Sequence, residues 1–385
     1  MKCLLHTFAV AASITFLSCG SSGGKGSTGA AGQAGAAGKN GVDGTNGTNG
    51  AVGKDGADGN IRIYGDGSAG ALNITAPTDW TSAPPANDNY QFTDCTIAAG
   101  AQLQVASGAV VRCSGTFTLA GDIHVFTYAG GGSSAYVTDA GAVAEQQASS
   151  GIAADAAGNG QLTANGQRAF GGSWGSSFTA GSAAPILHPG PLGGGGGGAG
   201  WYPGGAGGGT LTVLAKAGLT VSGTISANGD IAYGPTYSTT DLAGGGGGGG
   251  GGIVILASPA SVAVTGSVSA KGGDGAQRGS TTAYGGITFS HGGGGGGGIV
   301  HLLAPVISVP SLTNVDVSSG ASGSKAATSG SQAHFLGGGG GGGGGGLGQF
   351  GGTVNANGTF ADGITTSAPP PGLLIQDLVD PTDLF

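Results

Sequence analysis

Cleavage of a glycosidic bond needs two carboxyl groups held roughly 5–10 Å apart, one to give a proton and one to act as base or nucleophile. This chain offers few carboxylates at strand-like positions. Glu145 is its only glutamate, and Asp122, Asp230 and Asp274 are the aspartates that could form such a pair. Asp230 and Asp274 follow equivalent segments, "TISANG" and "SVSAKGG", so stacking of those segments would bring them together. Asp at such a place also serves turn geometry in its own right. Metal-assisted chemistry is less well supplied. His188, His291, His301 and His334 lack ligand spacing, and "GGDG" (272–275) is out of register with the calcium-binding nonapeptide repeat. No Ser-His-Asp or Cys-His signature is present. The expectation is a non-catalytic chain with no metal and no cofactor.

Binding is the other chemistry to test. Aromatic and polar side chains gather just before runs of pure glycine: Tyr233 and Tyr237 in one segment, Arg278, Tyr284, Phe289 and His291 in the next, His334 and Phe335 in a third. Rings with polar tips suit a carbohydrate or protein surface; they also suit small cores within the loops themselves. Both readings stand on the sequence. Nucleic acid is a poor partner, because the net charge is −8 and the 11 basic residues form no patch that could neutralise phosphates.

The elements that would hold these residues are unusual, for 93 of the 385 residues are glycine. Residues 90–126 alternate apolar and polar types between glycines, a pattern of short strands. Further on, "GTLTVLAKAGLTVSGTISANGD" (209–230) aligns with "GIVILASPASVAVTGSVSAKGGD" (252–274) and more loosely with "GIVHLLAPVISVPSLTNVDVSSG" (298–320). Thr210, Ile253 and Ile299 are equivalent, and each follows a glycine tract: 204–209 (with Ala206, and 193–198 before it), 244–252 and 292–298. A fourth tract, 337–346, precedes "GTVNANGTF". A strand such as "IVILA" is apolar on both faces, which implies cover on both sides, as in parallel stacks. A unit that buries itself only against its neighbours makes a solenoid. The fold class expected is all-β, a glycine-rich parallel β-helix or solenoid.

The glycine tracts admit two readings, flexible linker or built layer. Ordering nine glycines costs of order 10–20 kcal/mol, at ~1–2 kcal/mol per residue. Such a cost requires that every N–H and C=O find a partner. Purity of composition and constant attachment to the following strand favour the layer. Residues 129–192, rich in Gly, Ser and Ala, read as an elaborated loop. The apolar tail "PPPGLLIQDLVDPTDLF" reads as a cap over the last coil.

The N-terminus carries a different signal. Lys2 and the apolar stretch Leu4–Leu17 have the form of an export leader too short to span a bilayer. Export leaves Cys95 and Cys113, 18 residues apart, as one candidate disulfide. An 18-residue coil would stack them within bonding reach.

Four resemblances follow from these residues. "FLSCG" resembles the lipobox of bacterial lipoproteins, although Phe16 stands where Leu is usual. It implies that Cys19 is lipidated and becomes the mature N-terminus, with membrane attachment at the outer membrane or cell surface; a plain cleaved leader is the alternative. From Gly20 run thirteen uninterrupted G-X-Y triplets, ending at Gly59. They resemble bacterial collagen-like proteins and imply a homotrimeric stalk through residues 20–59, or else a flexible tether, since the tract has no proline. The tracts between 193 and 350 resemble the polyglycine sandwich of phage tip adhesins, whose inter-tract loops contact receptor. The whole arrangement resembles the collagen-like lipoproteins of large-genome Gram-negative bacteria. The organisation expected is a leader (1–18), lipidated Cys and stalk (19–59), N-terminal coils with a loop insertion (60–192), a repeat solenoid (193–352) and a cap (353–385). The functional expectation is a structural or adhesive surface lipoprotein. A polysaccharide-degrading β-helix enzyme and a virion receptor-binding adhesin are the alternatives.

Overall fold

The computed structural model describes residues 63–127, 129–131, 183–197, 203–232, 246–276, 292–321, 323 and 371–385. It also describes the backbone of six two-residue strands, at 137–138, 141–142, 288–289, 334–335, 353–354 and 360–361. All lie in the compact unit Lys54–Phe385. Cys19, the G-X-Y triplets and Glu145 fall outside the described residues. Among the described residues no helix is long and apolar enough to cross a membrane.

Alternation of apolar and polar residues every second position makes short strands, and glycine or Asp ends them. The strands assemble into three parallel six-stranded sheets, and the middle coils give one strand to each. Sheet 1 contains Gln91–Phe92, Ala109–Cys113, Thr210–Ala215, Ile253–Ala257, Ile299–Leu303 and Leu373–Asp377. Sheet 2 contains Leu72–Ile74, Cys95–Ile97, Thr116–Leu119, Gly218–Val221, Val262–Val264 and Ile307–Ser308. Sheet 3 contains Thr78–Asp79, Gln102–Val105, Asp122–Val125, Thr224–Ser226, Ser267–Ser269 and Val315–Asp316. The result is an all-β parallel solenoid. Thr210, Ile253 and Ile299 are direct register partners across sheet 1. The sheets run without interruption through position 192, so residues on either side of that boundary belong to one stack.

Two apolar cores follow from the strand patterns. Sheets 2 and 3 turn alternate residues inward (Phe117, Leu119, Ile123, Val125) and leave the others to solvent. In sheet 1 the strands Thr210–Ala215, Ile253–Ala257 and Ile299–Leu303 are buried on both faces. Leu211, Val213, Val254, Leu256, Val300 and Leu302 point inside the coil, while Leu214, Ile253, Ile255, Ile299 and Leu303 form a second core outside it. That outer face is covered by Ile63 and Tyr64, by Ala183–Leu187 of the long loop, and by Phe385. The C-terminal tail thus does more than cap. Its strand Leu373–Asp377 extends sheet 1 beyond Ile299–Leu303, and the tail then returns across the sheet. Thr382 meets Tyr64, whose hydroxyl lies 3.3 Å from the threonine Oγ1, and Phe385 packs edge-on to His188 at 5.4 Å.

Cys95 and Cys113 are bonded, with their Cα atoms 6.1 Å apart and both residues fully buried. The coil is longer than the 18 residues expected from the cysteine spacing. Leu72 pairs with Cys95 and Cys95 with Phe117, so one coil takes 22 or 23 residues. Cys113 ends a sheet 1 strand and its register partner is Phe92. The bridge therefore joins sheet 1 of one coil to sheet 2 of the coil before.

Candidate functional site

Two of the three corners of the solenoid are short. The third, from sheet 3 back to sheet 1, is closed by residues 106–108 in one early coil and opens in every later one. Residues 126–209, 227–252, 270–298 and 317–372 all leave and return there. Each excursion carries a glycine tract or follows one, so a single edge of the molecule holds every long connection after Val125.

The tract 246–252 shows why the edge is glycine. The N–H groups of Gly248 and Gly251 donate to Gly293 and Gly296 in the next tract, both at 2.9 Å. Those of Gly249 and Gly252 donate to Asp230 and Ala227 on the outgoing segment of the preceding coil, at 3.0 and 2.8 Å. Gly250 donates to Gly195 at 2.9 Å. In return the carbonyls of Gly247 and Gly250 accept from Gly205 and Gly208, and those of Gly246 and Gly249 from Ala276 and Gly273. The partner changes at each residue and recurs at every third. That is the signature of an extended backbone with three residues per turn, bonded to neighbours on several sides. Tract 292–298 repeats it, with Gly292, Gly295 and Gly298 donating to Ala276, Gly273 and Ala270.

Such packing leaves no space for side chains. A Cβ at Gly248 or Gly251 would sit on the carbonyl oxygens of Gly273 or Ala270, and one at Gly249 or Gly252 on those of Ala206 or Gly209. Every positive-φ glycine of the described residues lies outside the tracts. The tracts use glycine for close approach, not for an unusual φ. The satisfied N–H and C=O groups, each costly to bury unpaired, offset the ordering entropy.

The loop residues proposed as a binding surface are placed unevenly. Tyr233, Tyr237, Arg278, Tyr284 and His291 lie outside the described residues. Phe289, His334 and Phe335 lie on a parallel two-stranded pair, Thr288–Phe289 beside His334–Phe335, in which Phe289 and Phe335 are register partners. Aromatic positions from two successive excursions are thus brought side by side.

The three candidate carboxylates have different surroundings, and Asp230 and Asp274 lie on successive coils. Asp122 is exposed on sheet 3, between Gln102 and Thr224 in register. Burial holds the Asp230 carboxyl above its ordinary range, while His124 and a hydrogen bond from Thr127 pull it back. Asp274 accepts from the backbone N–H of Ala321 at 2.8 Å and lies 3.6 Å from the Lys271 ammonium. Among the described residues no group of three His, Cys, Asp or Glu could hold a metal ion. His301 is 1% exposed in the outer core, its Nε2 2.8 Å from Asp377 Oδ2 and its Nδ1 without a partner. His124 was not singled out from sequence; its alternation with Ile123 in "DIHV" is the signal that puts it on the outer face.

No protein-family model, no curated protein and no solved structure matches this chain.

Proposed function

We propose that this chain is an exported surface protein, non-catalytic, whose solenoid displays a row of binding loops from one glycine-layered edge. One observation supports this above others: after Val125 every long connection leaves the stack at the same corner and each is tied to a glycine tract. A layer of close-packed backbone spaces successive loops by one coil, about 4.8 Å per strand, and fixes their roots while leaving their sequences free to vary. The backbone pairing of positions 289 and 335 brings aromatic positions of two successive excursions side by side.

In this reading the leader ends before Cys19, which carries lipid and holds the protein at the outer membrane or cell surface. Residues 20–59 form a collagen-like homotrimeric stalk, and the glycine tracts and coils form a β-helical head. The ligand is a carbohydrate or protein surface. The test is binding of the full-length chain to glycan arrays and to bacterial cells, beside a variant with residues 277–291 replaced by a short Gly-Ser turn. Binding that is lost on replacement, with the melting temperature retained, supports the reading. Binding to nothing, or binding indifferent to replacement of residues 277–291, overturns it.

A further inference from the structure

We propose that a groove beside the strand Ala109–Cys113, at the root of the 126–209 excursion and apart from residues 277–291, binds a carboxylate-bearing sugar anchored by Arg112. Two concavities meet there, one of about 210 Å³ and one of about 440 Å³, and they share Gly108, Val110 and Arg112. The larger is of the size that takes a small ligand. Arg112 alternates with Val110 on the outer face of sheet 1, with Gln91 and Leu214 as its register partners.

Its guanidinium is partly stripped of water. Burial pulls its pKa below the ordinary arginine value, although an arginine remains charged. Among the described residues it has no carboxylate partner, in a chain whose net charge is −8. A desolvated cation of this kind is completed by a carboxylate, which its planar fork binds through two parallel hydrogen bonds. Asp88 lines the larger hollow, and its charge disfavours a dianion such as phosphate more than a single carboxylate.

The remaining lining has the chemistry of a sugar site. Tyr90, half-buried, packs against the inner core with its ring edge-on to Trp80, centroids 5.4 Å apart, and lines the larger hollow, where its exposed part would meet a pyranose. Gln91 supplies an amide beside it, and His188 and Thr212 supply polar groups in the smaller hollow. The proposal does not depend on residues 277–291 or on where the protein resides.

The test is calorimetric titration of the full-length chain with trigalacturonate, neutral galactotriose, acetate and inorganic phosphate. Trigalacturonate should bind, and the neutral trisaccharide should bind at least roughly tenfold more weakly, the least expected for a lost charge-assisted pair. Arg112→Gln should lose the acidic sugar by a similar factor with an unchanged melting curve. Arg112→Lys keeps the charge but lacks the fork, and should also bind more weakly; it decides the matter should Arg112→Gln not fold. Tyr90→Leu should weaken the sugar but not acetate. Replacing residues 277–291 should change nothing here, which separates this site from the loop-display reading. Equal binding of acidic and neutral sugars, acetate or phosphate binding as tightly as trigalacturonate, no binding of trigalacturonate, or unimpaired Arg112 variants would each overturn it.

Discussion

At Gly251 a hydrogen stands where a Cβ would meet the carbonyl oxygen of Ala270, so the residue is glycine for want of space. Gly100 is glycine for the opposite reason: its φ is +79° and nothing lies within 4 Å of an added Cβ. Gly251→Ala should therefore destabilise the fold by roughly 3 kcal/mol or more, since backbone must move to admit the methyl. Gly100→Ala should cost about 1 kcal/mol, the penalty of a left-handed conformation alone. Denaturant melts of the two variants check the contrast. His301 makes a second prediction. Burial lowers its pKa, and Asp377 only partly opposes this. Above the ordinary histidine pKa neither folded nor unfolded chain binds the proton, so this stability is fully present. As pH falls below it, the unfolded state is protonated first and stability is lost. The melting temperature should drop between about pH 7 and pH 5, and His301→Leu should flatten that dependence. A melt series that is identical for the two proteins would contradict it.

At the scale of elements, the three middle strands of sheet 1 have cover on both sides. Ile255→Ala should cost about 2–4 kcal/mol, because Ile255 is fully buried in the outer core. The disulfide ties neighbouring coils across a corner. Cys113→Ser should remove about 3 kcal/mol, as expected for a closed loop of this length, read as a lower urea midpoint. The strand registers were legible because β-branched residues recur beside equivalent glycines: "TLTVL", "IVILA" and "IVHLL" align in sequence and pair in space. The coil length was not legible from the cysteines. Their bridge crosses between sheets, and spacing along a chain does not distinguish equivalent positions from neighbouring corners. The groove was likewise hidden. Arg112 shows in sequence as one cation inside "AVVRC", and its meaning depends on residues 63–65 and 187–190 arriving from elsewhere to bury it. Tyr64 and Thr382 meet across 318 positions of chain, a contact that no local pattern encodes.

At the largest scale, the described residues of the unit Lys54–Phe385 form a stack in which a close-packed backbone layer stands along one edge and Tyr64 meets Thr382 over sheet 1. A triple-helical stalk of residues 20–59, as proposed, would be roughly 120 Å long at ~3 Å per residue and would join three chains. Sedimentation should return a trimer for the full chain and a monomer once residues 20–59 are removed; equal masses for both would exclude the stalk as the trimerising element. The central claim is that the glycine tracts are a built layer and not linkers, and hydrogen–deuterium exchange reads it directly. Amides of 246–252 and 292–298 should exchange as slowly as those of the strands Ile253–Ala257 and Ile299–Leu303, because they share one cooperative hydrogen-bonded unit. Exchange of the tracts at the rate of unstructured peptide, with the strands still protected, would contradict the account.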